Sequence, residues 1–373
     1  MSIIRCCRSC KSKDLKDLFS LGNQAFTGIF IKENIKIPHG KLDLVICNNC
    51  SLVQLKNNFN LKIMYGSTYG YRTGLNSSMV KHIEEKAKFL KKISKVKSSE
   101  LIIDIGSNDG TMLNYFASQN YINLIGIDPT INKFKKFYKK GIKKIPNFFN
   151  HSLIKKNLRK RKARIISSIA MFYDLPDPIK FAKDIFDSLE DQGIWHLEQS
   201  YSGFMLKNNS YDTICHEHLE YYSLKSIKYI FDKVNLKIID LRFNDINGGS
   251  FAITVAKKDS KYKEIKKKIQ KIISNEKKNK INSSITYLKF YKSITLEKIK
   301  LIKFLKFLKK KNKIVIGYGA STKGNVILQF CKINSTLLKN ICEVNSDKDG
   351  AYTPGSNIKI ISEKKAKLLK PDY

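Results

Sequence analysis

The chain has 373 residues, 42% of them hydrophobic and 27% charged, which suffices for two or three domains that each bury a core of their own. A formal charge of +38 would suit a nucleic acid or an anionic membrane, but only seven of the seventy basic residues are arginine, so the excess reads as a solvated lysine coat that leaves a modest pull on anionic small molecules. No window approaches the roughly 18 consecutive apolar residues of a membrane span, the N-terminus turns polar at once, and the eight cysteines do not suit a disulfide framework, so a cytoplasmic protein is predicted, with no nucleic acid or membrane as partner.

The first predicted element is a pair of knuckles. Cys7 and Cys10 form one CxxC, and Cys47 and Cys50 form a second after a gap of 36 residues. Each turn offers two thiolates to a tetrahedron, and two turns close it, so residues 1–62 are read as a domain holding a structural zinc ion. Cys6 adjoins Cys7 and could take its place. The alternative is two unrelated pairs of buried cysteines.

From residue 63 to 258 apolar runs alternate with amphipathic segments. "ELIIDIG", "NLIGID", "ARIISSIAM", "GIWHLEQSY", "LKIIDLRF" and "SFAITVAKK" read as strands, several of them apolar throughout, as when both faces of a sheet are covered. Met79 to Lys92 and Lys180 to Leu189 carry helical patterns between them. The prediction is an α/β sheet of six or seven strands that ends in an antiparallel pair around "NDINGGSF".

"LIIDIGSNDGTML" gives a strand, a Gly106-x-Asn108-x-Gly110 turn and a helix, and the next strand ends at Asp128. The glycines permit a tight turn and close approach of a ligand at the strand ends. Asp104 and Asp109 would repel the pyrophosphate of a dinucleotide on the helix N-terminus. A cationic ligand is favoured instead, and S-adenosylmethionine fits, with Asp128 placed for the ribose hydroxyls; an NAD-type site is the alternative.

Residues 259–312 are rich in lysine, with Ile299, Ile302, Leu305 and Leu308 at helical spacing, and predict one or two amphipathic helices packing on a neighbouring domain. Residues 313–373 open with "NKIVIGYGASTKGN", a second strand, glycine turn and helix. Gly317, Gly319, Ser321, Lys323 and Gly324 resemble a phosphate cradle with Lys323 as its point charge. This domain is expected to be shortened at "KPDY".

The most unusual stretch is "YDTICHEHLEYYS". On an extended strand His216, His218 and Glu220 would share one face and could hold a metal, while Glu217 would point away from His218. A turn is needed if both are to reach one substrate.

Taken together the CxxC pairs, "YGYRTGLNSSM", "DIGSNDG", "MFYDLPDP", "EQSYSGF", "YDTICHEHLEYYS", "NDINGGSF", "GYGASTKGN" and "DGAYTPG" resemble the S-adenosylmethionine-dependent sugar C-methyltransferases along nearly the whole chain. That resemblance implies an N-terminal zinc-binding domain, a central class I methyltransferase domain, Rossmann-like in fold, and a second Rossmann-like α/β domain that helps to hold a nucleotide-linked keto sugar. It implies S-adenosylmethionine as cofactor beside the structural zinc, methylation of a ring carbon by way of an enolate, and a monomer or weak homodimer. By the same resemblance His218 is the general base, with Glu217 orienting the sugar or taking the proton itself, and His216 and Tyr71 join the catalytic set. Asp104, Gly106, Asn108, Gly110, Asp128 and Tyr69 are expected at the cofactor, with Tyr69, Tyr71 and Arg72 as a lid. Tyr222, Cys215, Asp174, Asn247, Lys323 and Ser321 are expected at the substrate. Cys215 stands where many relatives carry tyrosine and Asp174 where some carry histidine, which points to a different sugar. A nucleic-acid methyltransferase is the competing reading, motivated by the charge and the knuckles; a binding module without activity is the third.

Overall fold

The structure is a computed structural model that describes residues 2–32, 36–66, 69–158 and 161–373. Strands β1 (Leu15–Ala25), β2 (His39–Cys47) and β3 (Val53–Leu55) pair antiparallel in sequence order. Alternate residues Leu42, Leu44 and Ile46 of β2 enter a core with Phe26, Phe59 and Val53, the period of two expected of a pleated strand.

The central sheet comprises β4 (Ile102–Ile105), β5 (Leu124–Ile127), β6 (Lys143–Ile145), β7 (Ala163–Ile169) and β8 (Leu189–Ser200). A short strand, β9 (Glu220–Tyr221), then leaves it, and β10 (Leu236–Asn244) and β11 (Ser250–Lys257) complete it. The order is β10-β11-β8-β7-β4-β5-β6, parallel except that β11 runs antiparallel to both of its neighbours. The predicted antiparallel finish is therefore present.

Both faces of this sheet are covered, which is why several of its strands are largely apolar. Ile102, Leu124, Ile165 and Ile194 face the helices Ser77–Ser94 and Thr111–Ala117, whereas their neighbours Ile103, Ile125, Ile166 and Trp195 face Pro178–Ser188 and Leu224–Lys233. Asp177 caps the third of these helices through Lys180 N–H, with Pro178 in its first turn. The strand order reverses between β4 and β7, so the connections diverge there and leave a crevice at the carboxyl ends.

The lysine-rich segment forms the helices Lys266–Lys278 and Ser284–Lys310, as its periodicity predicts. Glu276 on the first is buried and accepts from Leu224 N–H at 2.6 Å, Lys225 N–H at 3.0 Å and the Tyr201 hydroxyl at 2.9 Å, so a side chain remote in sequence caps the helix at residue 224. Glu276→Ala is expected to lower stability by about 2–3 kcal/mol, measured by urea unfolding, because it strands two helical N–H groups.

Three parallel strands follow, β12 (Ile316–Tyr318), β13 (Asn340–Glu343) and β14 (Lys359–Ser362). The helix Thr322–Phe330, capped by Ser321, lies against the first domain: Gln329 exchanges hydrogen bonds with Ala25 N–H (2.7 Å) and C=O (3.1 Å), and Asn325 donates to Thr27 C=O at 2.7 Å. Strand β9 makes the second such junction, pairing antiparallel with β3 through Glu220–Gln54 and Tyr221–Val53. Behind it buried Arg8 spans Gln54, Asn57 and Asn58 and approaches Glu220 to 3.8 Å. Among the described residues no helix is long and apolar enough to cross a membrane.

Candidate active site

The crevice at the carboxyl ends of β4, β5, β7 and β8 is a cavity of about 370 Å³ whose walls come from the first, central and last domains. Gly28 and Phe30 come from the first domain, Tyr65 and Tyr69 from the connection, and Ser321, Lys323 and Lys348 from the last domain.

On the sheet side the glycine turn has the predicted form. Gly106 sits at φ +71°, and a Cβ there would meet the Met171 side chain at 3.1 Å. Asn108 N–H donates to Asp128 Oδ2 at 2.9 Å, and Thr130 gives Asp128 Oδ1 its N–H (2.6 Å) and its hydroxyl (2.5 Å). Oδ1 is thereby fully engaged, and Oδ2 keeps a lone pair for a ligand hydroxyl. Asp104 Oδ1 accepts from Ser167 at 2.6 Å, and burial pushes the carboxyl up to about 7. Asp104, Gly106, Asn108, Asp128, Tyr69 and Tyr71 all line the cavity.

Two members of that loop act differently from expectation. Asp109 turns away from the cavity to accept from Gly74 N–H (2.8 Å) and Thr111 (2.6 Å) and to pair with Arg72 (3.5 Å), so the negative wall is supplied by Asp104, Asp128 and Glu198 instead. Gly110 is also outside the lining; at φ +79° it makes room for the Tyr138 ring, which an added Cβ would meet at 2.7 Å. With Thr73 N–H donating to Asn108 Oδ1 at 2.9 Å and Arg72 stacked 4.0 Å over Phe137, the segment after Tyr71 is pinned on this loop.

Opposite stands the histidine cluster, and the chain there turns instead of extending. Residues 215–217 form a bend, so neighbours Glu217 and His218 both face the cavity. The His218 ring packs on Tyr173 with centroids 4.1 Å apart, and its Nδ1 lies 2.7 Å from Thr213 C=O. A carbonyl can only accept, so Nδ1 carries the hydrogen and Nε2 is left with its lone pair. Burial, helped by the nearby Lys323 charge, holds the ring's pKa down to about 3. Burial raises that of Glu217, whose Oε1 lies where a Cβ on Gly28 would sit, at 2.4 Å; only glycine admits the carboxylate there. Asp174, Asn247, Ser321 and Lys323 line the same cavity, Lys323 donating to Asn247 C=O at 2.6 Å.

Three expected residues lie elsewhere. His216 points into the first domain between the Phe26 and Phe59 rings, each 4.8 Å away, with Nε2 at 3.2 Å from Gly40 C=O. Cys215 is fully buried and meets Glu217 from inside the protein. Tyr222 stacks on Phe172 at 5.4 Å in the core. The bend that brings Glu217 and His218 to the cavity sends both flanks inward. It also dismantles the His216, His218, Glu220 metal face, since Glu220 is committed to Arg8. Residues not anticipated from the sequence include Tyr65, Tyr173, Lys348, Glu198, which is held by His82 (2.6 Å), Lys86 (2.6 Å) and Asn244 (2.8 Å), and Gln199, buried with neither amide atom paired.

The cysteines meet as predicted. Cys7, Cys10, Cys47 and Cys50 offer Sγ atoms all within 4.8 Å, with Cys7–Cys50 at 3.5 Å and Cys10–Cys47 at 3.4 Å, and among the described residues they are the one such metal-holding group. Sulfurs about 2.3 Å from a tetrahedral zinc stand about 3.8 Å apart, so the set fits the ion. Hydrogen bonds from Cys50 and the Gln54 amide lower the Cys7 thiol's pKa, toward the thiolate that a metal needs. Cys6 takes no part in the group.

A seven-stranded sheet with one antiparallel strand, opening at its switch point onto a glycine turn and a strand-end aspartate, defines a class I, S-adenosylmethionine-dependent methyltransferase. Family models match in succession a zinc binding domain at residues 7–65, a methyltransferase domain at 79–241 and a C-methyltransferase C-terminal domain at 245–373. The chain belongs to the S-adenosylmethionine-dependent C-methyltransferases, with structural zinc as its second cofactor. It is 26% identical over 371 residues to the C-methyltransferase NovU of Streptomyces niveus, covering 98% of this chain and 88% of that one. Solved structures similar to it include an S-adenosylmethionine-dependent methyltransferase from Clostridium acetobutylicum (13% identity, 48% of this chain and 92% of that one, TM-score 0.38). The plantazolicin methyltransferase BamL also aligns (16% identity, 49% and 87%, TM-score 0.40).

Proposed function

We propose that the protein methylates a ring carbon next to the ketone of a nucleotide-linked keto sugar, in the making of surface polysaccharide or deoxysugars. The observation that carries this reading is the placement of Glu217 and neutral His218 on one bend, facing the acidic glycine turn across a single cavity whose third wall brings Ser321, Lys323 and Lys348.

The bound cofactor supplies an electrophilic methyl group, so the chain's task is to make a carbon nucleophile. His218 Nε2 takes the α-proton, and Thr213 steadies the imidazolium that results through its carbonyl. Asp128 holds the ribose diol of the cofactor, and Asp104 and Glu198 favour its cationic end. On the far wall, Lys323 and Lys348 beside the capped N-terminus of Thr322–Phe330 suit the sugar's diphosphate; Lys348 is fixed by Ala320 C=O at 2.7 Å and lies 4.2 Å over Phe30.

Incubation with labelled S-adenosylmethionine and a panel of nucleotide-linked 4-keto sugars tests the reading. Label entering a sugar carbon supports it. Label entering RNA or DNA, with none in any sugar, replaces it with the nucleic-acid alternative that the lysine excess suggests.

A pH dependence follows from Asp104. Its carboxyl titrates near 7, and a cation beside it favours the ionised form, so binding of S-adenosylmethionine expels a proton below that pH. Affinity is expected to rise from pH 6 to pH 8 by up to about tenfold and then level off. Calorimetry checks this, and Asp104→Asn should flatten the curve.

A further inference from the structure

An enolate needs a donor at its oxygen as well as a base at its carbon, and neither Glu217 nor His218 serves both. Asp174 closes the short turn after β7 and lines the cavity they share. The Tyr65 hydroxyl donates to its Oδ2 at 2.5 Å. Its Oδ1 is buried and has no partner, and the residue is only 8% exposed. It joins no ion pair among the described residues, and the charged group nearest in influence is Glu217, of the same sign. A carboxylate so placed would be an unpaired buried anion, at a steep cost.

Resting on the keto-sugar reading, we propose that Asp174, fixed by Tyr65, is the catalytic residue that donates a hydrogen bond from Oδ1 to the ketone oxygen as it becomes an enolate. Burial raises this carboxyl well above the usual carboxylate range, which favours its protonated form. With Tyr65 occupying Oδ2, the proton sits on Oδ1, where a sugar oxygen is the acceptor it lacks. The base removes the α-proton, the C–H electrons become a C=C bond, and the carbonyl pair moves to oxygen against this donor. When the carbon takes the methyl group, the S–C pair remains on sulfur and the C=O bond re-forms, so Asp174 ends as it began. Histidine at this position would also donate, but from a different reach, which makes Asp174 a determinant of where the ketone must lie.

The test compares Asp174→Ala and Asp174→Asn with the unaltered enzyme on a keto sugar that it methylates. Alanine removes the donor and should lower kcat about 10²–10³-fold with the Michaelis constant little changed. Asparagine keeps a neutral donor and should remain within about tenfold of the unaltered enzyme. Calorimetric binding of S-adenosylmethionine shows whether each variant is folded, and the asparagine variant decides the matter if alanine fails to fold. An alanine variant with unaltered kcat, or asparagine as poor as alanine, overturns the proposal while leaving the keto-sugar reading in place. If the unaltered enzyme methylates no keto sugar, both fall together.

Discussion

His218→Ala is expected to lower the rate of methyl transfer about 10²- to 10⁴-fold while S-adenosylmethionine still binds, because it deletes the proposed base and leaves the glycine turn intact. Three features define the state of the His218 ring. Thr213 fixes the tautomer, Tyr173 fixes the ring plane, and burial near Lys323 keeps the ring neutral down to about pH 3. A free histidine would lose its basic form below about pH 6.5, whereas this ring stays basic, so its protonation sets no acid limb between pH 8 and pH 5. Glu217→Gln separates the two candidate bases. If that variant is crippled and His218→Ala is nearly normal, the carboxylate removes the proton and the imidazole only shapes the pocket.

Removing zinc is expected to have an effect as large, by a different route. The first domain has a small core and depends on a four-thiolate site, and structural zinc contributes about 10–16 kcal/mol in isolated zinc-binding peptides. A strong chelator, or Cys47→Ser, should therefore unfold β1 to β3, seen as a low-temperature transition in a thermal melt. Activity should vanish with it, although every cysteine lies outside the cavity. The path is visible in the register: β9 pairs with β3, His216 is gripped by Phe26 and Phe59, and Gly28 makes room for Glu217. Methyl transfer that persists after the metal is stripped would refute this dependence. Recovery of both signals on adding zinc back would support it.

The strands of the central sheet were legible because a sheet covered on both faces requires apolar runs between amphipathic helices, and the cysteine pairs because thiolate spacing is local chemistry. The floor of the site was legible for the same reason, since Asp104, Gly106 and Asp128 follow from strand ends. What stayed hidden depended on contacts distant in sequence. Nothing in "NDG" says that Asp109 is spent on Gly74 and Arg72, and nothing in "HEH" says that the chain bends so that one histidine meets the cavity and the other meets Phe59. Tyr222 resembles a pocket tyrosine until Phe172 is seen stacked on it. Lys348 and Glu276 reach their posts only through tertiary packing.

Strand β9 spans just Glu220 and Tyr221, yet it zips a segment from beyond the middle of the chain onto a strand laid down near its beginning. Pairings so distant form late, after the local units have closed their own loops. Because Glu217 and His218 stand just before β9, a break in this two-residue pairing would free the bend that carries them while the glycine turn after β4 stayed whole.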